Sequence, residues 1–79
     1  MHWKKHRGEF PELQNAKEYA DAALNFVQRP PEGVLTKTRL NGDRLFYDPA
    51  SNTFATTNAA GDVKTMFRPD EGINYFNRQ

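Results

Sequence analysis

Apolar positions change period part of the way along the chain. Ala16, Tyr19, Ala20, Ala23, Phe26 and Val27 recur at intervals of three and four, the spacing of one apolar stripe on an α-helix. Asn15 stands before this run with Glu18 three positions later, the arrangement of a capping box. Pro30-Pro31 ends the helix, because proline lacks the N–H that a further turn requires and its ring crowds the residue before it. Residues 1–9 read as a shorter first helix that stops before Pro11, with Gly8 weakening its last turn.

Beyond Pro31 the pattern is that of strands and tight turns. Gly33 to Leu40 is rich in β-branched residues and runs into Asn41-Gly42, the strongest short hairpin signal. Arg44 to Asp48, Thr53 to Thr57 and Val63 to Arg68 are three further strands, separated by Pro49-Ala-Ser-Asn52 and Ala60-Gly61-Asp62. Pro69-Asp70-Glu71 suits a helix start, after which Ile73, Tyr75 and Phe76 dock a short helix. The expectation is an α+β fold: two N-terminal helices packed on a four-stranded antiparallel meander, with a short C-terminal helix. A sheet covered on one side leaves its other face wet. Strict alternation puts Leu35, Lys37 and Arg39 on one face of the first strand. In the fourth strand it sets Val63, Thr65 and Phe67 opposite Lys64, Met66 and Arg68. Which side meets the helices is left open.

Length and composition narrow the class. Seventy-nine residues make one domain, 1–79, since two independent cores would not fit. With no cysteine there is no disulfide, no thiol nucleophile and no Cys-ligated metal, and two histidines alone do not complete a zinc site. No membrane span and no signal-peptide core is visible, and no cofactor is called for. The net charge is +1, from 11 Lys and Arg against 10 Asp and Glu. That small figure hides blocks of alternating sign: +3 over residues 1–8, −3 over 9–28, +2 over 29–44, −2 over 45–62 and +2 over 63–68. Basic blocks can converge in space while acidic ones face elsewhere; a solvated surface of mixed sign is the plainer outcome.

No self-sufficient catalytic motif is present: no phosphate loop, no metalloprotease helix pair, no nucleophile elbow. What remains is the basic run His2-Trp3-Lys4-Lys5-His6-Arg7 and the polar residues of a small sheet. Histidine moves protons near neutral pH, and lysine or arginine beside it stabilises charge on a five-coordinate phosphate. Those are the parts of metal-independent RNA cleavage, although a histidine in a basic helix is more often a surface residue. Phe46, Tyr47, Phe54 and Phe67 offer faces on which bases stack; cross-strand core pairs are their commoner use. Asp43 and Asp48 read as turn residues.

The ordered string of short motifs is more specific. Lys5-His6-Arg7-Gly8-Glu9-Phe10, Asn15-Ala16, Glu18-Tyr19, Ala22-Ala23 and Phe26 are followed by Arg39, Asn41-Gly42-Asp43, Tyr47-Asp48-Pro49 and Ser51-Asn52-Thr53-Phe54. Then come Gly61, Lys64-Thr65-Met66-Phe67-Arg68-Pro69 and Tyr75-Phe76. Across almost the whole chain this resembles the C-terminal nuclease domains of bacterial polymorphic toxins, including those of contact-dependent growth inhibition. These domains belong to the superfamily shared by barnase, EndoU, the tRNA-cutting colicins and RelE.

The resemblance implies a metal-independent ribonuclease acting on RNA, tRNA foremost, with a cognate immunity protein as partner and a monomeric state. It also implies delivery as the C-terminal part of a larger secreted toxin, with action in the target-cell cytoplasm. Lys5-His6 is similar to the Lys-His pair of the D-type colicin site, and Thr65-Met66-Phe67 to its Ser-x-Trp. On that footing His6 transfers protons, Lys5 and Arg39 steady the phosphate, Thr65 hydrogen-bonds it and Phe67 supplies an apolar wall or a stacking surface. His2, Lys4, Tyr47, Lys64 and Arg68 complete the expected substrate contacts. His2 lies four residues from His6 on one helix face, so either histidine fits the proton-transfer role. Arg7 replaces the glycine of the usual His-Gly-x-Glu-Phe arrangement. The alternative is a non-catalytic RNA- or protein-binding module of the same fold.

Overall fold

Asn15 begins the main helix as the sequence pattern requires. Its backbone is extended and its side chain accepts the Glu18 N–H at 2.9 Å, satisfying one of the donors that a helix start leaves open. Glu18 reaches back to the N–H of Gln14 at 2.8 Å, one residue beyond the usual capping-box partner. The computed structural model of the chain describes Gly8 and residues 10–79. Within them the order is α1 (Ala16–Gln28), β1 (Leu35–Thr38), β2 (Arg44–Asp48), β3 (Thr53–Thr57), β4 (Val63–Phe67) and α2 (Ile73–Asn77). The fold is α+β, with one helix ahead of a four-stranded antiparallel sheet and a short helix after it. Apart from Gly8, the helix expected over residues 1–9 lies outside the described residues.

The strands pair strictly with their sequence neighbours, in the order β1-β2-β3-β4. Two of the three connections are built alike. Gly42 N–H donates to Arg39 O at 2.9 Å and Gly61 N–H to Asn58 O at 3.0 Å. Each glycine takes a positive φ, 92° and 93°, where a side chain is strained. The first loop is therefore the three residues Leu40–Gly42 rather than Asn41-Gly42 alone. A Cβ on Gly42 would also stand 2.8 Å from that of Ala59, so the two loops rest against each other.

Register sorts the side chains into rows. Thr36, Phe46, Ala55 and Met66 cross the sheet on the side of α1. There Phe46, Ala55 and Met66 join Phe10, Tyr19, Ala23 and Phe26 in one buried cluster. Each large apolar side chain removed from water in this way contributes roughly 1.5–3 kcal/mol. The Tyr19 hydroxyl donates to the backbone oxygen of Met66 and accepts its N–H, the latter at 3.2 Å. On the far face Leu35, Tyr47, Phe54 and Phe67 form a second row, and α2 lays Tyr75 and Phe76 over it. The far face is thus covered at this end and not wet throughout.

Three boundaries differ from expectation, one of them the end of β4, at Phe67 rather than Arg68. β1 is four residues long, since Arg39 already belongs to the turn, its N–H bonded to Asp43 O at 2.8 Å. The C-terminal helix does not start at Pro69: the Gly72 N–H closes a turn onto Pro69 O at 3.1 Å, and Gly72 at φ 57° sets a new direction for Ile73.

Candidate functional site

A register shift between Thr56 and Thr57 makes Thr56 oppose Thr65 while Thr57 opposes Val63. Lys64 is the extra residue, and a bulge of this kind breaks the alternation of side chains. Val63 consequently packs into the cluster under α1. Lys64 turns to Asp43, with Nζ 2.7 Å from the carboxylate, and Asp43 stands two residues before Leu45 of the far face. The expected grouping of Lys64 with Met66 and Arg68 therefore does not hold: Lys64 joins the side of Thr65 and Phe67.

The far face carries two polar rows beyond its aromatic row. Lys37, Leu45, Thr56 and Thr65 are aligned across all four strands. At the sheet's end, Arg39 faces Asp43 across the hairpin, and Lys64 closes onto the same carboxylate. The Asp43 side chain is only 9% exposed while that of Lys64 is 53% exposed. The Lys64 ammonium holds the Asp43 carboxyl below the usual carboxylate range, helped by Asn41 and by the charge of Arg39 and opposed by burial. Arg39 donates to Gln79 Oε1 at 2.8 Å. Lys37 donates to Phe76 O at 2.8 Å and lies 4.6 Å above the Phe76 ring.

The structure thus brings Arg39, Lys64, Thr65 and Phe67 to one face. Two other residues expected to meet substrate are engaged elsewhere in the fold. Tyr47 is 3% exposed, its ring stacked on Phe76 at 5.9 Å and its hydroxyl donating to Asn52 Oδ1 at 2.7 Å. It is a core residue with no face to offer a base, and burial pushes its hydroxyl pKa up. Arg68 lies toward α1, its guanidinium 4.4 Å over the Phe10 ring and 2.7 Å from Glu12; it braces residues 10–12 against β4. His2, Lys4, Lys5 and His6 lie outside the described residues. Sequence reasoning passed over Lys37 and Asp43. The shared face of Lys37 and Arg39 was a usable signal for the first. For the second, the turn reading accounted for the backbone and missed the partner.

Among the described residues no group of three His, Cys, Asp or Glu is placed to hold a metal ion, and no helix is long and apolar enough to cross a membrane. No protein-family model matches the chain and no curated protein matches its sequence.

Proposed function

We propose that this domain is a metal-independent endoribonuclease of the toxin type, cutting RNA, tRNA foremost. The observation that supports the reading best is the gathering of Arg39, Lys64 and Thr65 on the sheet face opposite α1. Two cations beside a hydroxyl suit a phosphodiester, whose charge increases as it becomes five-coordinate. In the reaction, a base takes the proton of a ribose 2′-OH and the 2′-oxygen forms a bond to phosphorus. The bond from phosphorus to the 5′-oxygen breaks, and that oxygen takes up a proton, leaving a 2′,3′-cyclic phosphate. His6, or His2, serves as the proton-transfer group, with Lys5 beside it. Arg39 and Lys64 balance the phosphate charge and Thr65 donates to a phosphate oxygen. A cognate immunity protein would be acidic where it meets Lys4, Lys5, Arg39 and Lys64, and delivery within a larger toxin belongs to the same reading.

Purified protein is expected to cleave tRNA in the presence of EDTA and to leave cyclic-phosphate ends. His6→Ala and His2→Ala, each checked for an intact fold, separate the two histidines, because only the catalytic one lowers kcat by orders of magnitude. Thr65→Val should lower kcat/KM roughly 10- to 100-fold, the value of one lost hydrogen bond to a charged group. Cleavage that is undiminished in both histidine variants would refute the assignment.

A second reading, a non-catalytic RNA- or protein-binding module, is favoured by the pairing of Lys64 with Asp43 and of Arg39 with Gln79. It is distinguished by salt-dependent RNA binding, or protein binding, without any product at high protein concentration.

A further inference from the structure

The helix side of the sheet holds a row beside the C-terminal end of α1, exposed at Thr38 and Arg44 and buried at Thr57. Thr38 opposes Arg44 and Arg44 opposes Thr57, so two hydroxyls flank a guanidinium across three adjacent strands, on the same side as Phe46. Thr57 is 2% exposed, and its Oγ1 has no hydrogen-bond partner among the described residues. A buried hydroxyl without a partner costs free energy that a native fold normally avoids. The bulge beside Thr57 is what separates this strand end from a regular ladder. Arg44 is exposed and has no carboxylate partner among the described residues.

Two clefts meet at Arg44 and Phe46. One, of about 370 Å³, is walled by Val27, Gln28, Thr57 and Ala60; the other, of about 180 Å³, is bounded by Thr36, Lys37 and Thr38. No acidic residue lines either. The larger volume falls within the range of small-molecule sites and exceeds what a bare phosphate group fills. It combines a cation and hydroxyl donors with an apolar wall at half-buried Val27, and the Gln28 amide can bond to the edge of a flat ring.

We infer that this cleft is a binding site for a phosphate monoester carried on a planar body, the chemistry of a nucleoside monophosphate. Arg44 takes the phosphate in a two-pronged contact, with Thr38 donating to it. The planar body lies along Val27, where a ligand acceptor supplies the missing partner of Thr57 Oγ1. The site is on the opposite side of the sheet from Arg39, Lys64 and Thr65 and does not depend on RNA cleavage.

The test is titration of the full chain with AMP, adenosine and inorganic phosphate, followed by calorimetry and by amide shifts in two-dimensional NMR. AMP is expected to bind saturably and to move the amides of Thr38, Arg44, Phe46 and Thr57, with phosphate and adenosine each binding at least tenfold more weakly. Arg44→Gln should weaken AMP at least tenfold and leave the melting temperature of the free protein in place, the side chain being exposed. Thr57→Val should raise that melting temperature, since an unpaired buried hydroxyl is removed, and at the same time weaken AMP severalfold. A hydroxyl with only a structural role would give the first effect without the second. The inference is overturned if AMP does not saturate at millimolar concentration, if Arg44→Gln binds it unchanged, or if the shifts cluster at Arg39 and Lys64.

Discussion

Asp43 is the residue whose environment says most about the far face. Its carboxylate is buried, bonded to Lys64 at 2.7 Å and held below the ordinary range by that ammonium. A carboxyl whose folded-state pKa is depressed contributes stability that is present above its unfolded value and lost as the pH falls through the folded one. The loss therefore belongs to acidic solution, roughly pH 4 and below. Lys64→Met should move the Asp43 titration upward, toward the unfolded value, so that the variant is less stable near neutral pH and loses less on acidification; NMR titration of the Asp43 carboxyl measures it directly. A midpoint that does not move would mean the pair is absent in solution. The turn spacing of Asn41-Gly42-Asp43 made this residue legible as a turn former. It could not show that a lysine 21 residues on would reach the same carboxylate, because that contact follows from the bulge. Tyr47 was open to two readings for a related reason: alternation assigns it a face, and only the cover given by α2 decides that the face is dry.

At the level of elements, α1 was readable because stripe, cap and proline stop agree with one another. Asn15→Ala should cost about 1 kcal/mol, the ordinary value of an N-cap, seen as a lower denaturant midpoint with an unchanged slope. The strands were readable from the turns between them, with Val63 and Lys64 as the exceptions. No glycine or proline marks the bulge, so period-two reasoning carried straight through it and placed both on the wrong sides. Helix α2 is five residues long, too short to persist alone, and its hold on the sheet rests on Phe76, which is 4% exposed. Phe76→Ala should cost about 3–5 kcal/mol. It should also release Lys37, whose ammonium rests on that ring and on the Phe76 carbonyl.

For the whole molecule, average charge is a poor guide to partners. The sheet separates Arg39 and Lys64 on one face from Arg44 and Arg68 on the other, and acidic Glu12 and Asp21 accompany residues 10–28. RNA bound on the far face should show a dependence of log affinity on log salt in which each phosphate-paired cation contributes a slope of about 0.7 for single strands. Arg39→Gln is expected to flatten that slope by about this amount; an unchanged slope would place RNA elsewhere. The strand order was legible because each strand follows its neighbour through a short turn. The candidate site was not, because Arg68 looked equivalent to Lys64 until Phe10 and Glu12 claimed it.

The neighbour-by-neighbour strand order also governs how the chain reaches this structure. Two three-residue loops bring β1 to β2 and β3 to β4, so most of the sheet is assembled from closures that cost little entropy. The distant junctions include the seating of Tyr19 on Met66, 47 residues apart, and that of α2 on the far face, where Lys37 meets Phe76 across 39 residues. Topologies dominated by local contacts cross their folding barrier quickly. The sheet can zip from its loops, and the docking of α1 and α2 onto it closes the longer loops afterwards. Substitutions at Tyr19 should act on that docking, whereas those at Gly42 and Gly61 act on the earlier hairpins.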